Sequence, residues 1–314
     1  MYSSRTDLAV EEILGKSELT GIKSEEMDVS GLKITRVTVE KEGEKIINKP
    51  AGSYITIEIN DISQSAEHFE NAINIISTEL KKILNFSPSD TVLIAGLGNK
   101  HITPDALGPQ TIDSVMITRH LKEYAPDFFD VSRLRQVASI TPGVLGQTGI
   151  ETSEVIKAIV EKINPAAVIV IDALASRKMQ RLATTIQITD SGIVPGGGVD
   201  NARAHISKDA LGVPVISVGV PTVVDAATLT TDVIEEVLKT VDKQSKEVKL
   251  FKSFSSDETY YLIKEALSPY DLNLIVTPKD IDFIIGEISK ALGFSINKAL
   301  HGDISITDME AFLA

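Results

Sequence analysis

Two aspartates stand where a pair of acids could work together. Asp172 closes the apolar, β-branched run "PAAVIVIDALAS" (165–176), and Asp105 lies in "TPDALGP", downstream of the glycine-marked run "TVLIAGLG" (91–98). Carboxylates brought into one crevice cannot both ionise cheaply, so they share a proton, one pKa rising and the other falling. Such a pair can hold a water as general base and protonate a leaving amine as general acid. Each acid alone reads equally well as a helix cap, because an Asp ahead of a helix accepts from free backbone amides. A third Asp-Ala-Leu, at Asp209, falls in what reads as a surface turn, so the repeated tripeptide carries no weight.

The neighbouring loops widen the candidate site. Gly98 and Asn99 leave the run 91–98; Gly96-x-Gly98 begins a dinucleotide fingerprint, but His101 stands where the third glycine belongs. A tight strand exit is the plainer reading, and a non-catalytic module for anions or nucleotides is the alternative. A second exit, "QITDSGIVPGGGVDN" (187–201), offers Asp190, Ser191, Gly196 and Gly197 as a substrate-cradling loop whose amides can bind an oxyanion or a peptide carbonyl. Asp-Ser-Gly also occurs in pepsin-type enzymes, but one copy amid strand–helix alternation does not make that all-β, two-lobed fold. Ser217 and Gly219 lack the upstream glycine of a nucleophile elbow. The five histidines, at 68, 101, 120, 205 and 301, never form a His-Glu-x-x-His helix. His101, four residues before Asp105, keeps a metal shared with the aspartates as a mechanistic alternative.

Composition narrows the rest. The 314 residues, 43% hydrophobic and 24% charged, suit one large or two smaller globular domains. With no cysteine, disulfides, thiolate nucleophiles and cysteine-bound metals are excluded. A formal net charge of −13 argues against direct nucleic-acid binding. The longest apolar run, broken by Asp172, falls short of the roughly 18 residues of a membrane span, and no signal-peptide core opens the chain, so a cytoplasmic location is expected.

Elements that must position the acids follow from periodicity. Strands are expected at "LKITRVTVE" from Leu32, at "SYITIEIN" with Ile55, Ile57 and Ile59 on one face, and at 91–98, 136–140, 166–171, 181–189 and 212–221. Helices are expected at Ser65 to Leu84, with Ser65 as cap, at about Ala106 to Tyr124, at Thr152 to Ile163 and at about Thr228 to Val241. Near-continuous apolar strands alternating with helices predict an α/β fold with a mostly parallel sheet sandwiched by helices. The lysine-rich stretch 239–253 reads as a connector to a small α+β appendage: a helix at Asp257 to Leu267, the strand "LNLIVT", and a helix opened by Thr277, Pro278 and Asp280. The polar stretch Met1 to Lys16 precedes any periodicity and reads as a free or removable terminus.

Taken together, "GLGN", "TPDALGP", "ITPGVLGQTGIETSE", "VIDALASR", "QITDSGIVPGGGVDN" and "GVPTVVDAATLTTD" resemble the spore germination proteases of spore-forming Firmicutes over almost the whole chain. The resemblance implies an aspartic-type endopeptidase that starts the degradation of small acid-soluble spore proteins at germination, in the forespore and spore core. It also implies a phosphorylase/hydrolase-like fold related to the hydrogenase maturation proteases, which use a metal at the equivalent crevice; no cofactor is expected here. The catalytic aspartates of the family fall on Asp105 and Asp172. Members are homotetrameric zymogens that cut themselves, and "SSRTDLAVEE" matches the processing site, placing the cut between Asp7 and Leu8. Residues 1–7 would then be a short propeptide, 8–241 the catalytic domain with an N-terminal β extension, and 242–314 the connector and appendage. Around residues 239 to 256 the chain looks shorter than the family pattern.

Overall fold

A computed structural model describes residues 6–14, 19–60, 62–84, 87, 89–132, 134–196, 203–240, 254–267, 274–302 and 304–314. Nine strands form one sheet: β1 (Ile22–Val29), β2 (Leu32–Val39), β3 (Gly52–Glu58), β4 (Thr91–Gly96), β5 (Gln136–Ile140), β6 (Ala167–Ser176), β7 (Thr185–Thr189), β8 (Val215–Asp225) and β9 (Ile275–Val276). Their order is β1-β2-β3-β7-β8-β6-β4-β5, with β9 added to β8.

Direction within the sheet corrects the expectation of a mostly parallel arrangement. Among the described strands, β1–β2, β2–β3, β3–β7, β7–β8 and β8–β9 pair antiparallel, and only β4–β5, β4–β6 and β6–β8 pair parallel. The fold is α/β with a sheet that is mostly antiparallel. An apolar run reports that a strand is buried on both faces and says nothing of which way its neighbour runs. Short connections do carry that information: Ser30 and Gly31, both at positive φ, make the two-residue turn that folds β2 back on β1. The outer strand β1 is exposed along most of its length and carries Lys23, Glu25, Glu26 and Asp28, charges that discourage pairing at a free edge.

The parallel strands nevertheless carry a helix layer on each face. On one, Ile94, Ile169 and Ile171 pack with Ile73, Ile76 and Leu80 of the helix Ala66–Ile83 and with Ile285, Ile288 and Leu292 of the helix Ile281–His301. On the other, Leu93, Ala95, Val168 and Val170 pack with Ile156 and Val160 of the helix Thr152–Ile163. Ser65 caps its helix as expected, accepting from the amide of His68 at 3.1 Å.

Two helix starts differ from the sequence reading. The stretch 106–124 is not one helix: a 3-10 turn at Thr103–Asp105 leads into Leu107–Ile112, and helix resumes only at Leu121–Tyr124. Between them the chain bends over the helix Ile281–His301, where buried Asn297 accepts from the amide of Met116 at 2.8 Å and donates to the carbonyl of Ser114 at 2.9 Å. Those bonds replace the helical ladder that periodicity predicts, a tertiary override of local preference. The C-terminal long helix begins at Ile281 with Asp280 in the cap position, while Thr277, the expected cap, donates its hydroxyl to the carbonyl of Thr222. Most of the lysine-rich connector lies outside the described residues.

Candidate active site

The site lies at the carboxyl edge of the parallel strands, where open α/β sheets bind ligands. β4 ends at Gly96, paired with Ile171, and the amide of Leu97 donates to the carbonyl of Ile171 at 2.8 Å. Asp172 follows immediately, beyond the last residue of its neighbour. Its own strand does not stop there. β6 continues to Ser176 alongside β8, with a register shift between Leu174 and Ala175. Asp172 is therefore an acid inside a strand, and the reading of it as a helix cap fails.

Asp105 approaches from the other side of the cleft. The 3-10 turn ends on it, and Ala106 takes the cap position of the helix that follows, so Asp105 is not that cap. Its carboxylate instead accepts the amide of Asn99 at 2.7 Å. Close approach explains the glycine at 98: with φ of +109° it lies so near the turn that an added Cβ would stand 1.9 Å from the carbonyl oxygen of Asp105. A hydroxyl from β8 steadies the same turn, Thr222 donating to the carbonyl of Pro104 at 2.6 Å.

Asp105 and Asp172 line one cleft of about 270 Å³ with Gly98, Leu174 and Gly196. Asp172 is 5% exposed, and its carboxyl is pushed well above the usual carboxylate range, first by burial, then by the charge of Asp105 and that of Asp7. Burial also raises Asp105, against the lowering effect of the Asn99 amide. Both shifts favour the protonated acids over the ionised ones, relative to ordinary carboxylates.

Asp7 belongs to the same cleft, so within the stretch Met1 to Lys16, expected to be free or removable, the described residues 6–14 are docked rather than free. Its amide donates to the carbonyl of Ala175 at 3.0 Å, and the amide of Ala175 donates back to its carboxylate at 2.8 Å. Gln187 of β7 grips the main chain on both sides of Leu8, donating to the carbonyl of Asp7 at 3.0 Å and accepting from the amide of Ala9 at 2.8 Å. Leu8, fully buried, packs with Val10 on Leu174 and Ile193. Lys49 donates to the carbonyl of Thr6 at 2.7 Å. Burial raises the pKa of Asp7, opposed by the charge of Lys49, and burial lowers Lys49 in turn.

Other candidates are placed differently. The side chain of Asn99 accepts from the amide of His101 and from Gln147, tying the Gly98 exit to the helical turn Leu145–Thr148. Exposed Asp190 accepts the amide of Ser53 at 2.7 Å and so holds the start of β3, outside the lining of the dyad cleft. Ser191 lines an adjoining pocket of about 480 Å³, which shares Asp7 and Leu174 with the cleft. Gly197 lies outside the described residues. Among the described residues, no group of three or more His, Asp or Glu side chains is placed to hold a metal ion. Gln187 and Lys49 escape a reading of the sequence. A glutamine within the apolar run "TTIQIT" is the one local signal, since a buried polar side chain needs a partner.

Known proteins match this chain from end to end. The family profile described as germination protease covers residues 4–255 and 249–313. A germination protease of Clostridium tetani (strain Massachusetts / E88) is 46% identical over 322 residues, 99% of each chain. One from Caldanaerobacter subterraneus subsp. tengcongensis is 44% identical over 317 residues, 98% of each chain. Another, from Bacillus pumilus (strain SAFR-032), is 37% identical over 360 residues, 99% of this chain and 97% of its own. With a full-length profile match and relatives this similar, the chain belongs to the germination protease family and is a peptidase.

Proposed function

We propose that the chain is an endopeptidase whose reacting groups are Asp105 and Asp172, and that it cuts itself between Asp7 and Leu8. The observation that carries this reading is the main chain at Asp7, bonded to Ala175 in the cleft that both acids line. Asp172 holds the shared proton because it is the more buried of the two. Ionised Asp105 takes a proton from water as the water oxygen attacks the carbonyl carbon of Asp7. Gln187 donates to that carbonyl oxygen, where negative charge develops. The amine of Leu8 leaves with the proton supplied by Asp172, and the carboxylic acid product stays on Asp7.

In this reading residues 1–7 are a propeptide and the chain is a zymogen whose own segment fills the cleft. The relatives' names support action at germination, and the motif resemblance alone supports small acid-soluble spore proteins as substrates, in the forespore and spore core, and a homotetrameric assembly. Intact mass before and after mild acid incubation tests the core of the proposal. Wild type should lose residues 1–7, and Asp105→Asn and Asp172→Asn should each keep them. Loss of the segment in both variants would exclude the dyad.

A further inference from the structure

Strands β6 and β8 run together past Asp172, but not residue for residue. Leu174 pairs with Pro221 and Ala175 with Val223, which leaves Thr222 as an extra residue in β8, a bulge. A bulge re-aims the side chain it carries. Thr222 is fully buried, and its hydroxyl donates to the carbonyl of Pro104, the residue before Asp105, at 2.6 Å.

The turn that presents Asp105 shapes itself: the amides of Asp105 and Ala106 donate to the carbonyls of Ile102 and Thr103 at 2.8 and 3.0 Å. Those bonds stay within the turn and leave its place relative to Asp172 to other contacts. Thr222 ties the turn to β8, and Gly219, earlier in the same strand, pairs with Asp172. One strand therefore references both acids. The carbonyl of Thr222 accepts in turn from the hydroxyl of Thr277 at 2.8 Å. Thr277 follows β9, whose Ile275 and Val276 pair with Asp225 and Val224 of β8. A relay of hydroxyl bonds thus runs from the C-terminal part of the chain to the Asp105 turn.

We propose that Thr222 is a positioning residue for the peptidase reaction, its hydroxyl holding the Asp105 turn in place against Asp172, and that Thr277 holds Thr222. The inference rests on Asp105 being one of the reacting pair.

The test follows three variants of the full chain, Thr222→Val, Thr222→Ser and Thr277→Val. Self-cleavage is read as the first-order loss of residues 1–7 by intact mass, and seating of the N-terminal segment as deuterium exchange over residues 6–13. The carboxyl of Asp105 is titrated by NMR, its signal assigned with Asp105→Asn. Thr222→Val keeps the shape and loses the donor. It should slow cleavage at least about tenfold with exchange of the segment unchanged, since misplacing a reacting group by a fraction of an ångström costs on that order. The Asp105 midpoint should rise, because the Asn99 amide that lowers it lets go when the turn shifts. Thr222→Ser keeps a hydroxyl and should return both readouts close to wild type. Thr277→Val leaves the Thr222 hydroxyl intact; it should move both readouts the same way by less, and add nothing in the Thr222→Val background. An unchanged rate or midpoint in Thr222→Val, or failure of serine to restore them, overturns the positioning role, and Thr277→Val decides the point if Thr222→Val does not fold. If the midpoint moves and returns as expected while wild type never sheds residues 1–7, the positioning stands and the self-cleavage reading falls; cleavage at the wild-type rate with an unmoved midpoint gives the reverse.

Discussion

Asp172 is held at a cost to the fold, and that cost has a pH signature. In the unfolded chain it titrates near the ordinary carboxylate value, whereas in the fold burial and Asp105 hold its proton to higher pH. The folded state then binds more protons than the unfolded one over that window, so stability is full below the unfolded value and falls as pH rises toward the folded one. Asp172→Asn keeps the shape and removes the charge. It should raise Tm by several degrees at neutral pH, with the gain vanishing below about pH 3, where the acid is neutral in both states. Calorimetry across that range checks this, and a gain independent of pH would mean that repacking, not ionisation, is responsible.

At the scale of elements, the cleft depends on backbones that nearly touch. Gly98 abuts the Asp105 turn, and the helix starting at Leu107 approaches so closely that a Cβ on Gly108 would meet the carbonyl of Leu97 at 2.3 Å. Gly98→Ala places a methyl in the turn and demands a positive φ of a residue that disfavours it, at about 1–3 kcal/mol of strain. Displacing Asp105 by even an ångström should lower peptidase turnover about 100-fold while the protein still folds. Turnover and urea unfolding measured together test it, and unchanged turnover would show that Asp105 is not positioned by this contact. The two acids were legible from composition and strand context, since an Asp closing an apolar run is conspicuous. Their supports were not: Thr222, Asn99 and Gln187 reach the site from elements distant in sequence, and only pairing of those elements brings them there.

Across the whole molecule, the N-terminal segment behaves as part of the core. Thr6, Leu8, Ala9, Val10 and Glu11 are all buried, and strands β6 and β7 both bond to the segment. Its amides should therefore exchange with deuterium far more slowly than those of a free terminus, with Ala9 and Glu11 protected through Gln187 and the carbonyl of Leu8. Exchange followed by mass spectrometry over residues 6–13 checks this; complete labelling within seconds would mean the segment is undocked in solution. The long helix Ile281–His301 is likewise central, burying Ile285, Ile288, Leu292 and Phe294 against the sheet.

The sequence by itself determined most of the strands and helices, because burial and periodicity are written locally in the order of apolar residues; it missed the polar, exposed β1 and read 106–124 as one helix. It also singled out Asp172, a charge that interrupts an apolar run, and Asp105, just beyond the glycine-marked exit at Gly98. Tertiary structure decided what local order cannot encode. It set the direction of neighbouring strands, which depends on how the chain returns rather than on what a strand contains. It carried β6 past Asp172, because β8 was there to pair with it, and it broke the stretch 106–124 where Asn297 offered better hydrogen bonds than the next helical turn. Above all it seated Thr6–Glu11 on β6, its following loop and β7, with Asp7 in the cleft of the two acids, through contacts between residues some 170 positions apart that exist only once β6 and β7 have formed.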